Sequence, residues 1–295
     1  MKYQLASLIL AAYYPRVGNS VVETGISTVL CHHHVLMYVF GLRSLFFYSK
    51  MEFPLYVIDD GSLTTKDIRF IQKHLPVRVE RNSRQKTKRI LGNYKWLNDY
   101  RFDSKSMVHK LKLDLLLISP FARQLILDAD ILFMSKPDQL LNWLISGSEK
   151  ALMVKYSRKQ KINLIENENL TMFSFRKLMG SYLNADIEAY TSTHLLGIPD
   201  RQKIDLEKAN DLVRLLYRLD YAYKKFAEEV IMTYICSFFK KDYLSLKYYF
   251  NLLPFWMENF STRNNQVKMI HFPGQAKKFY WRILLKKLIS PSRIF

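Results

Sequence analysis

The sequence predicts an α/β protein built on a mostly parallel β-sheet that is flanked by helices. Short apolar runs rich in β-branched residues alternate with longer apolar segments over the first eighty residues. Such alternation is typical of parallel sheets with crossover helices. The 295-residue chain is 49% hydrophobic, so it can bury a large core. It shows no internal repeat and no low-complexity segment, which argues against a solenoid or a disordered protein.

Five elements are predicted in the first eighty residues. The segment 26–32 ("ISTVLCH") is short and β-branched, which predicts a buried strand, and 35–48 ("VLMYVFGLRSLFFY") is long enough for a buried helix. Two further strands, 53–59 ("FPLYVID") and 77–80 ("VRVE"), enclose a segment of helical periodicity at 64–75 ("TTKDIRFIQKHL"). The predicted order is therefore strand, helix, strand, helix, strand.

The middle of the chain combines a polar region with one long apolar strand. Residues 81–106 are basic, polar and aromatic, and this composition predicts a long loop region. A helix is predicted at 107–119, where Pro120 ends it. A strand at 123–134 ("RQLILDADILFM") follows, and 135–145 ("SKPDQLLNWLI") predicts a turn and then a helix.

The second half of the chain is predicted to be more helical and less regular. Residues 158–190 match neither the strand nor the helix pattern. No linker composition separates the two halves, so one α/β domain is expected. The remaining elements are strands at 151–157, 194–198 and 267–270, and helices at 205–219, with Asp205 as N-cap, and 226–239.

The formal net charge of +19 predicts an anionic partner. A field of that size attracts nucleic acid, anionic membrane or phosphorylated molecules, and it does not select among them. Charge clusters at 81–89 and 155–161 are either solvated loops or contact sites for such partners. Only two cysteines occur, Cys31 and Cys236, and no segment is a firm membrane span. These features predict a cytoplasmic protein.

Two aspartates interrupt the apolar strand at 123–134 and give the first functional signal. Side chains alternate along a strand, so Asp128 and Asp130 should point to the same side. Buried together, they repel each other and lose hydration unless a cation lies between them. At a strand end that faces a cleft, two carboxylates form a hard oxygen site for Mg²⁺ or Mn²⁺. The alternative is one capping and one solvated aspartate.

A second group of candidate residues lies near the end of the chain, in "HFPGQAK". His271 follows the predicted strand at 267–270, and an imidazole completes a carboxylate metal site, particularly for Mn²⁺. Gly274 lets the backbone approach a ligand closely. Lys277 can return a positive charge to the same place. Each residue alone is more typical of an ordinary loop, so the inference depends on their combination.

Together, the segments "KLKLDLLLISPFARQLILDADILFMSKPDQL" and "HFPGQAK" resemble glycosyltransferase family 8, the group that contains glycogenin and bacterial lipopolysaccharide galactosyltransferases. The resemblance covers residues 26–281 and is strong only in these two blocks. It implies the GT-A fold, a nucleotide-diphospho-sugar transferase fold, and a UDP-sugar donor. It also implies Mn²⁺ (or Mg²⁺) held by Asp128, Asp130 and His271.

The resemblance further implies roles for residues around that metal. Lys277 and Gly274 would meet the donor diphosphate, and Ala129 would lie against the donor between the two aspartates. Lys110 matches the basic residue that the family carries on a helix, with Lys112 as its substitute. The transferred sugar would keep its anomeric configuration.

The sequence departs from the family pattern where the acceptor and the catalytic carboxylate are expected. The family's N-x-G segment is reduced here to Gly197 in "STHLLGIPD", and its Asp-Gln pair at the start of a helix is replaced by Glu228 and Glu229. Glu228 is the preferred equivalent of the aspartate, with a register slip to Glu229 left open. This carboxylate would stabilise the cationic carbon or act as a nucleophile, and Lys277 would stabilise the departing diphosphate.

The segment "YVIDDGS" at the end of the second predicted strand is another candidate site. It resembles the segment of glycosyltransferase family 2 whose aspartate contacts uracil, so Asp59 or Asp60 is expected to contact the base or ribose. A plain Asp-Gly turn is the alternative. His32 begins a histidine triplet at the end of the first strand. It should face the same cleft and contact the nucleotide.

The resulting hypothesis places one catalytic domain at 1–278, with a donor-binding half at 26–157 and an acceptor-side half at 158–278. Residues 279–295 would form a basic amphipathic tail. On a helix from Tyr280 onward, one face would carry Trp281, Leu284, Leu285 and Leu288 and another Arg282, Lys286 and Lys287, a pattern that binds anionic membrane surfaces. The alternative is a terminal helix docked on the core. The protein would then lie on the inner face of a membrane.

The predicted function is a metal-dependent hexosyltransferase with a nucleotide-sugar donor and a sugar, lipid-linked or protein acceptor. Two alternatives stay open. A nucleotidyltransferase would use the same metal site, and a basic nucleic-acid-binding protein would account for the charge. The second alternative leaves the paired aspartates unexplained, because carboxylates repel phosphate without a metal. Nucleic acid is therefore not the expected partner.

Overall fold

Two β-sheets form the framework of the molecule. The computed structural model describes residues 2–17, 23–102, 107–155, 179–181, 183–185, 187, 191–220, 222, 227–244, 249–251 and 267–289. The strands are β1 Gly25–Leu30, β2 Leu55–Asp59, β3 Val77–Glu80, β4 Gln124–Leu127, β5 Ile131–Phe133, β6 Ala151–Lys155, β7 Thr191–Ile198, β8 Lys241–Leu244, β9 Tyr249–Asn251 and β10 Met269–His271. The helices are α1 Lys2–Tyr13, α2 Val35–Ser49, α3 Thr65–His74, α4 Ser83–Ile90, α5 Lys95–Phe102, α6 Met107–Ile118, α7 Asp138–Ile145, α8 Leu206–Arg218, α9 Ala227–Cys236 and α10 Tyr280–Ile289.

The large sheet has seven strands in the order β3-β2-β1-β4-β7-β6-β8. Strand β7 is antiparallel to both of its neighbours, and the other neighbouring pairs are parallel. The predicted mostly parallel sheet flanked by helices is therefore confirmed. Because β1, β2 and β4 run in the same direction, their carboxyl ends meet at one edge of the sheet. Open α/β sheets bind ligands at such an edge.

A small sheet of three strands, in the order β5-β10-β9, lies beyond this edge. Strand β10 is antiparallel to β5 and parallel to β9. Strand β5 follows β4 closely in the chain, whereas β10 comes from near its end. The small sheet therefore brings the C-terminal segment next to the end of β4.

Apolar residues cover both faces of the large sheet and form two cores. Side chains alternate along β2, so that Leu55 and Val57 enter one core while Tyr56 and Ile58 enter the other. The first core contains residues of α1, α2, α3, α7 and α10, and the second contains residues of α5, α6, α8 and α9. Helices on both faces explain why the central strands are almost continuously apolar.

The sequence predicted most of the described elements. Those of the first eighty residues are confirmed as β1, α2, β2, α3 and β3. The helices expected at 107–119, 205–219 and 226–239 are α6, α8 and α9, and the strands expected at 151–157, 194–198 and 267–270 are β6, β7 and β10. The ambiguous segment 158–190 and the charge cluster at 155–161 lie largely outside the described residues.

Residues 81–102 are largely helical, so the loop region predicted for 81–106 was wrong. This stretch forms α4, a short 3₁₀ turn and α5. Its charges lie mostly on the outer faces of the helices, while Leu91 and Leu97 are buried in the second core. Arg101 at the end of α5 is also buried and forms two hydrogen bonds to Asp114 of α6, one of them at 2.7 Å (Nη2 to Oδ2). Amphipathic helices with few apolar positions were mistaken for loops.

The single strand predicted at 123–134 is divided by a turn at 128–130. The amide of Asp128 donates to the carbonyl of His194 in β7 (2.9 Å), and the amide of Phe272 donates to the carbonyl of Asp130 (3.0 Å). The prediction was wrong because β4 pairs within the large sheet and β5 pairs within the small sheet. The two aspartates lie where the chain passes from one sheet to the other.

The C-terminal helix α10 packs into the first core against α2. Tyr280, Ile283, Leu284 and Leu288 are buried, and the Tyr280 hydroxyl donates to the carbonyl of Met37 (2.9 Å). Part of the face that the sequence assigned to a membrane is therefore covered by the protein itself, which matches the alternative of a terminal helix docked on the core.

The outer face of α10 is mixed in character. Leu285 and Ile289 are exposed there, next to the exposed Arg282 and Lys286. Contact between this stripe and an anionic membrane stays a prediction. No helix among the described residues is long and apolar enough to cross a membrane.

Gly41 is expected to be essential for packing α2 against β5. A Cβ atom at Gly41 would lie 2.2 Å from the carbonyl oxygen of Ile131, and the amide of Phe133 donates to Ser44 Oγ on the same helix (3.1 Å). Gly41→Ala should therefore lower the free energy of unfolding by about 1–3 kcal/mol. Gly92→Ala is the control, because a Cβ there would meet no atom within 4 Å. Equal denaturation midpoints for the two variants would contradict this contact.

Two adjacent leucines of α10 are expected to respond differently to truncation. Leu284 is 2% exposed and Leu285 is 49% exposed. Leu284→Ala should lower the free energy of unfolding by about 2–5 kcal/mol, whereas Leu285→Ala should change it by about 0.5 kcal/mol or less. Urea denaturation of both variants measures this difference. If Leu284→Ala is as stable as Leu285→Ala, α10 does not dock as described.

Candidate functional site

The turn at 128–130 lies at the edge where β1, β2 and β4 end. Asp130 and the intervening Ala129 are both buried, whereas the Asp128 side chain keeps 22% exposure. One carboxylate therefore lies at the surface of the edge and the other lies beneath it. This placement agrees with a strand-end site, although it is made by a turn and not by alternation along one strand.

His271 and Lys277 reach this turn from the C-terminal segment. His271 ends β10, and its Nε2 lies 3.2 Å from Asp130 Oδ1 and 3.9 Å from Asp128 Oδ2. Lys277 belongs to the 3₁₀ helix at Gly274–Phe279, and its Nζ lies 2.9 Å from Asp130 Oδ2. The structure thus brings together both aspartates, the histidine and the lysine that the sequence had proposed, from segments about 140 residues apart.

The lysine of α6 that contacts the aspartate turn is Lys112. Its Nζ lies 3.1 Å from Asp128 Oδ1 and 3.8 Å from Glu228 Oε1, and it donates to the carbonyl of Thr193 (3.2 Å). The other candidate, Lys110, is buried and lies over the ring of Tyr100, 4.7 Å from its centroid. Both lysines had been considered from the sequence, and only Lys112 is described in contact with Asp128.

A histidine that sequence reasoning missed also enters the site. His194 lies on β7 directly opposite the end of β4, and its Nδ1 is 2.8 Å from Asp128 Oδ2. Its ring is tilted by 36° against that of His271, with the ring centroids 3.8 Å apart. The available signal was a histidine inside an apolar strand pattern, but its position depends on the antiparallel pairing of β7, which no local pattern reveals.

The electrostatics of the site favour ionised aspartates. Burial alone would raise the pKa of Asp128, yet the Lys112 charge and the hydrogen bond to His194 outweigh it and hold that pKa well below its usual range. Asp130 behaves in the same way: burial is outweighed by His271 and Lys277, so its pKa also lies well below the usual range. Burial and the neighbouring His194 lower the pKa of His271.

Glu228 and Glu229 lie in the first turn of α9. Glu228 is buried, and its Oε1 has no hydrogen-bond partner among the described residues, although Lys112 is nearby. Burial, only partly offset by the Lys112 charge, raises the pKa of Glu228 to about 7. Glu229 is less buried. Of the two glutamates, Glu228 is therefore the one placed beside the aspartate turn.

Asp59 and Asp60 organise the turn that follows β2. Asp59 Oδ1 accepts hydrogen bonds from the amides of Gly61 (2.8 Å) and Leu63 (3.0 Å). Asp60 Oδ1 accepts one from the amide of Ser62 (3.0 Å). These bonds match the turn that was the structural alternative for this segment. They do not test a contact with a nucleotide, which stays a prediction.

The histidine triplet after β1 forms a short 3₁₀ helix at His32–His34. The Nδ1 atom of His32 lies 2.7 Å from Asp67 Oδ2 of α3, so this side chain is held at the edge of the cleft. Burial and then the Lys277 charge lower the pKa of His34. A contact between His32 and a nucleotide stays a prediction.

Glycine suits positions 274 and 197 for different reasons. Gly274 has φ of +51°, and a Cβ atom there would meet nothing within 4 Å. A left-handed backbone favours glycine at this position. At Gly197, a Cβ atom would lie 2.6 Å from the ring of Trp143. Packing is thus sufficient to explain Gly197.

The potential ligand atoms at the aspartate turn fit a divalent metal ion. Asp128, His194 and His271 each offer a ligand atom, and these atoms all lie within 4.8 Å of one another. Asp130 adjoins His271. Anionic carboxylates and a neutral imidazole are the ligands expected for Mn²⁺ and related ions.

A separate open cavity of about 560 Å³ lies at the opposite ends of β1 and β4. Its lining includes Arg123, Glu149 and Asp200, and it contains none of the residues of the aspartate turn. The concentration of paired charges and the strand-end position favour the aspartate turn as the functional site.

Comparisons with known proteins show the fold. No protein-family model matches the sequence, and no curated protein matches it. The galactosyltransferase LgtC in complex with donor and acceptor sugar analogs is similar with a TM-score of 0.57 at 13% identity, over 90% of this chain and 97% of that one. An active-site mutant of LgtC gives 0.56 at 14% identity, over 89% and 95%.

The bifunctional glycosyltransferase WbbM in its apo form is also similar, with a TM-score of 0.56 at 13% identity over 94% of this chain. The chain spans about half of WbbM, since it covers 52% of that protein. The predicted GT-A fold is therefore confirmed.

Lys112 is expected to stabilise the metal-free site. Removing it leaves Asp128 and Glu228 without their buried cation, so Lys112→Met should lower the free energy of unfolding by about 3 kcal/mol. Thermal denaturation in the presence of a chelator measures this loss. Lys136→Met is the control, because its pair with Asp138 is exposed and such pairs contribute about 1 kcal/mol at most. Equal losses in both variants would show that Lys112 does not compensate buried charge.

Proposed function

We propose that this protein is a metal-dependent glycosyltransferase that uses a nucleotide-diphosphate sugar, with UDP as the nucleotide. The observation that carries the proposal is the convergence of Asp128, Asp130, His271 and Lys277 at the ligand-binding edge of a GT-A fold. The sequence resemblance had assigned these residues to the metal and the diphosphate, and the proposal is supported by the short distances from His271 to both aspartates and from Lys277 to Asp130.

The charge balance of the site supports this donor class. Two aspartates face two lysines, Lys112 and Lys277, so these four charges balance one another. A divalent cation with a diphosphate is also close to neutral. The donor and its metal can therefore enter together without leaving a buried net charge, which would be costly.

Asp128, Asp130 and His271 would hold the ion, which when bound would supply a Lewis acid for the diphosphate. The ammonium group of Lys277 lies 2.9 Å from Asp130 Oδ2. From there it would stabilise the negative charge that grows on the leaving diphosphate. Because that charge is greatest in the transition state, Lys277 would contribute more to turnover than to binding.

Glu228 is the carboxylate proposed to act on the sugar. It is buried beside Lys112, and its pKa of about 7 lets it change its protonation state near neutral pH. A carboxylate in this place would stabilise an oxocarbenium-like carbon or attack it from the face opposite the diphosphate. Either role fits transfer of a hexose with retention of the anomeric configuration.

The nucleotide would extend from the metal towards the ends of β1 and β2. Asp59 or Asp60 and His32 are proposed to contact its base or ribose, and Ala129 to lie against the donor. The acceptor is proposed to be a sugar, a lipid-linked molecule or a protein. Lys110 is proposed to support the donor pocket through its contact with Tyr100. The protein is also proposed to be cytoplasmic and to contact an anionic membrane through the exposed stripe of α10.

A panel of nucleotide sugars with and without Mn²⁺ tests the proposed function. A donor that binds the native state stabilises it and so raises its melting temperature. At a donor concentration a hundred times the dissociation constant, the gain in the free energy of unfolding is about 2.7 kcal/mol. Release of UDP from the best donor would support sugar transfer. Release of pyrophosphate would instead identify a nucleotidyltransferase, and no shift with any nucleotide sugar would contradict both.

Lys277→Ala is expected to lower kcat by about a hundredfold, because it removes one preorganised charge from the leaving group. The Michaelis constant for the donor should change much less. Lys278→Ala is the control, since it removes the neighbouring cation, which is not described in contact with the aspartates. An increase in KM with unchanged kcat in Lys277→Ala would assign that lysine to binding alone.

A further inference from the structure

The site contains a second imidazole that the proposed function leaves without a role. The side chain of His194 is 28% exposed, so it is reachable from the cleft, and it lies against both Asp128 and His271. A histidine that only filled space in an apolar strand would not need this position. The question is whether it only positions Asp128 or also binds what Asp128 binds.

The backbone of β7 is distorted where His194 lies. Met153 of β6 pairs with Leu196, but the next residue, Val154, pairs with Ser192, so the register shifts between them. Three residues of β7, Thr193 to Leu195, are therefore displaced from the ladder with β6. Bulges of this kind re-aim side chains next to functional sites. Here the irregularity coincides with the residue opposite Asp128.

The spacing of the ligand atoms matches a shared ion. His194 Nδ1 is 2.8 Å and His271 Nε2 is 3.9 Å from Asp128 Oδ2. Adjacent ligands of a metal bound at about 2.0–2.2 Å lie about 3 Å apart. An ion could therefore take the place of the proton between His194 and Asp128, with His271 within reach and Asp130 beside His271.

We propose that His194 is a fourth protein ligand, so that two histidines and two aspartates hold the ion. The inference rests on the metal site of the proposed function and deepens it. Two imidazoles favour transition-metal ions, which bind nitrogen well, over Mg²⁺, which prefers oxygen. The site would thus select Mn²⁺ or Co²⁺ over Mg²⁺ more strongly than a site made of Asp128, Asp130 and His271 without His194.

His194→Asn separates a ligand from a positioning residue. The asparagine amide can still donate a hydrogen bond to Asp128, but in place of the imidazole nitrogen it offers only an amide oxygen, which suits Mg²⁺ better than a transition-metal ion. The control is His74→Asn, which also removes one imidazole but at the end of α3, where His74 contacts Ser7. Binding of each metal alone, without nucleotide, is measured by titration with Mn²⁺, Co²⁺ and Mg²⁺, so the readout does not depend on activity.

The expected result is a loss of at least about tenfold in Mn²⁺ and Co²⁺ affinity for His194→Asn, with a much smaller change for Mg²⁺. His74→Asn should bind all three ions as the parent does. Pulsed electron paramagnetic resonance of Mn²⁺ bound to the parent should also detect two imidazole nitrogens. This spectrum needs no variant, so it tests the proposal even if His194→Asn fails to fold.

Two results would overturn the inference in different ways. If His271→Ala and Asp128→Asn lose Mn²⁺ but His194→Asn binds it like the parent, the metal site stands and His194 only positions Asp128. A single imidazole nitrogen in the parent spectrum would lead to the same conclusion. If the parent binds none of the three ions, the metal site of the proposed function fails together with its fourth ligand.

Discussion

The carboxylates at the end of β4 impose the main constraint on this structure, because two ionised aspartates in a largely buried turn must be compensated. Four different segments supply the compensation. Lys112 comes from α6, His194 from β7, His271 from β10 and Lys277 from the 3₁₀ helix that follows. The small sheet is part of this arrangement, because the pairing of β10 with β5 carries the last two residues to the turn. Helix α2 anchors β5, and α10 anchors the C-terminal segment. Both helices therefore stabilise the position of site residues that they do not themselves contribute.

The sequence allowed the parts of the fold that depend on local patterns to be predicted. Apolar runs and helical spacing located the strands and helices of the first eighty residues, and the residue types at 128, 130, 271 and 277 indicated a metal and phosphate site. Strand pairing could not be read in this way. A single strand was predicted across the aspartates because the run is apolar on both sides, and only its partners in two separate sheets reveal the turn between them. Helices α4 and α5 were missed because their few apolar positions lie among many charges.

His194 and Lys112 show the same limit at the level of single side chains. The spacing of Lys110 and Lys112 along the chain does not decide which one reaches Asp128, because that depends on the rotation of α6 against the sheet. His194 becomes a neighbour of Asp128 only through antiparallel pairing and a register shift in β7. Nonlocal geometry therefore determines which residues complete the site, whereas local sequence determines which residues begin it.

The distribution of charge also separates two roles for the basic character of the chain. Within the site, the described lysines are matched by aspartates, so little net charge remains there. The excess positive charge lies elsewhere among the described residues, as on the exposed face of α4 with Arg84, Lys88 and Arg89 and on the outer face of α10.

A positive outer surface raises the local concentration of anions over distances comparable to the Debye length, about 8–10 Å at physiological salt. A neutral site then favours a ligand that brings its own cation over a bare polyanion, because binding a bare polyanion would bury unbalanced negative charge beside Asp128 and Asp130. The net charge of +19 is therefore compatible with the proposed metal–diphosphate ligand, and the paired charges at the edge of the sheet, not the total, favour that proposal over nucleic acid.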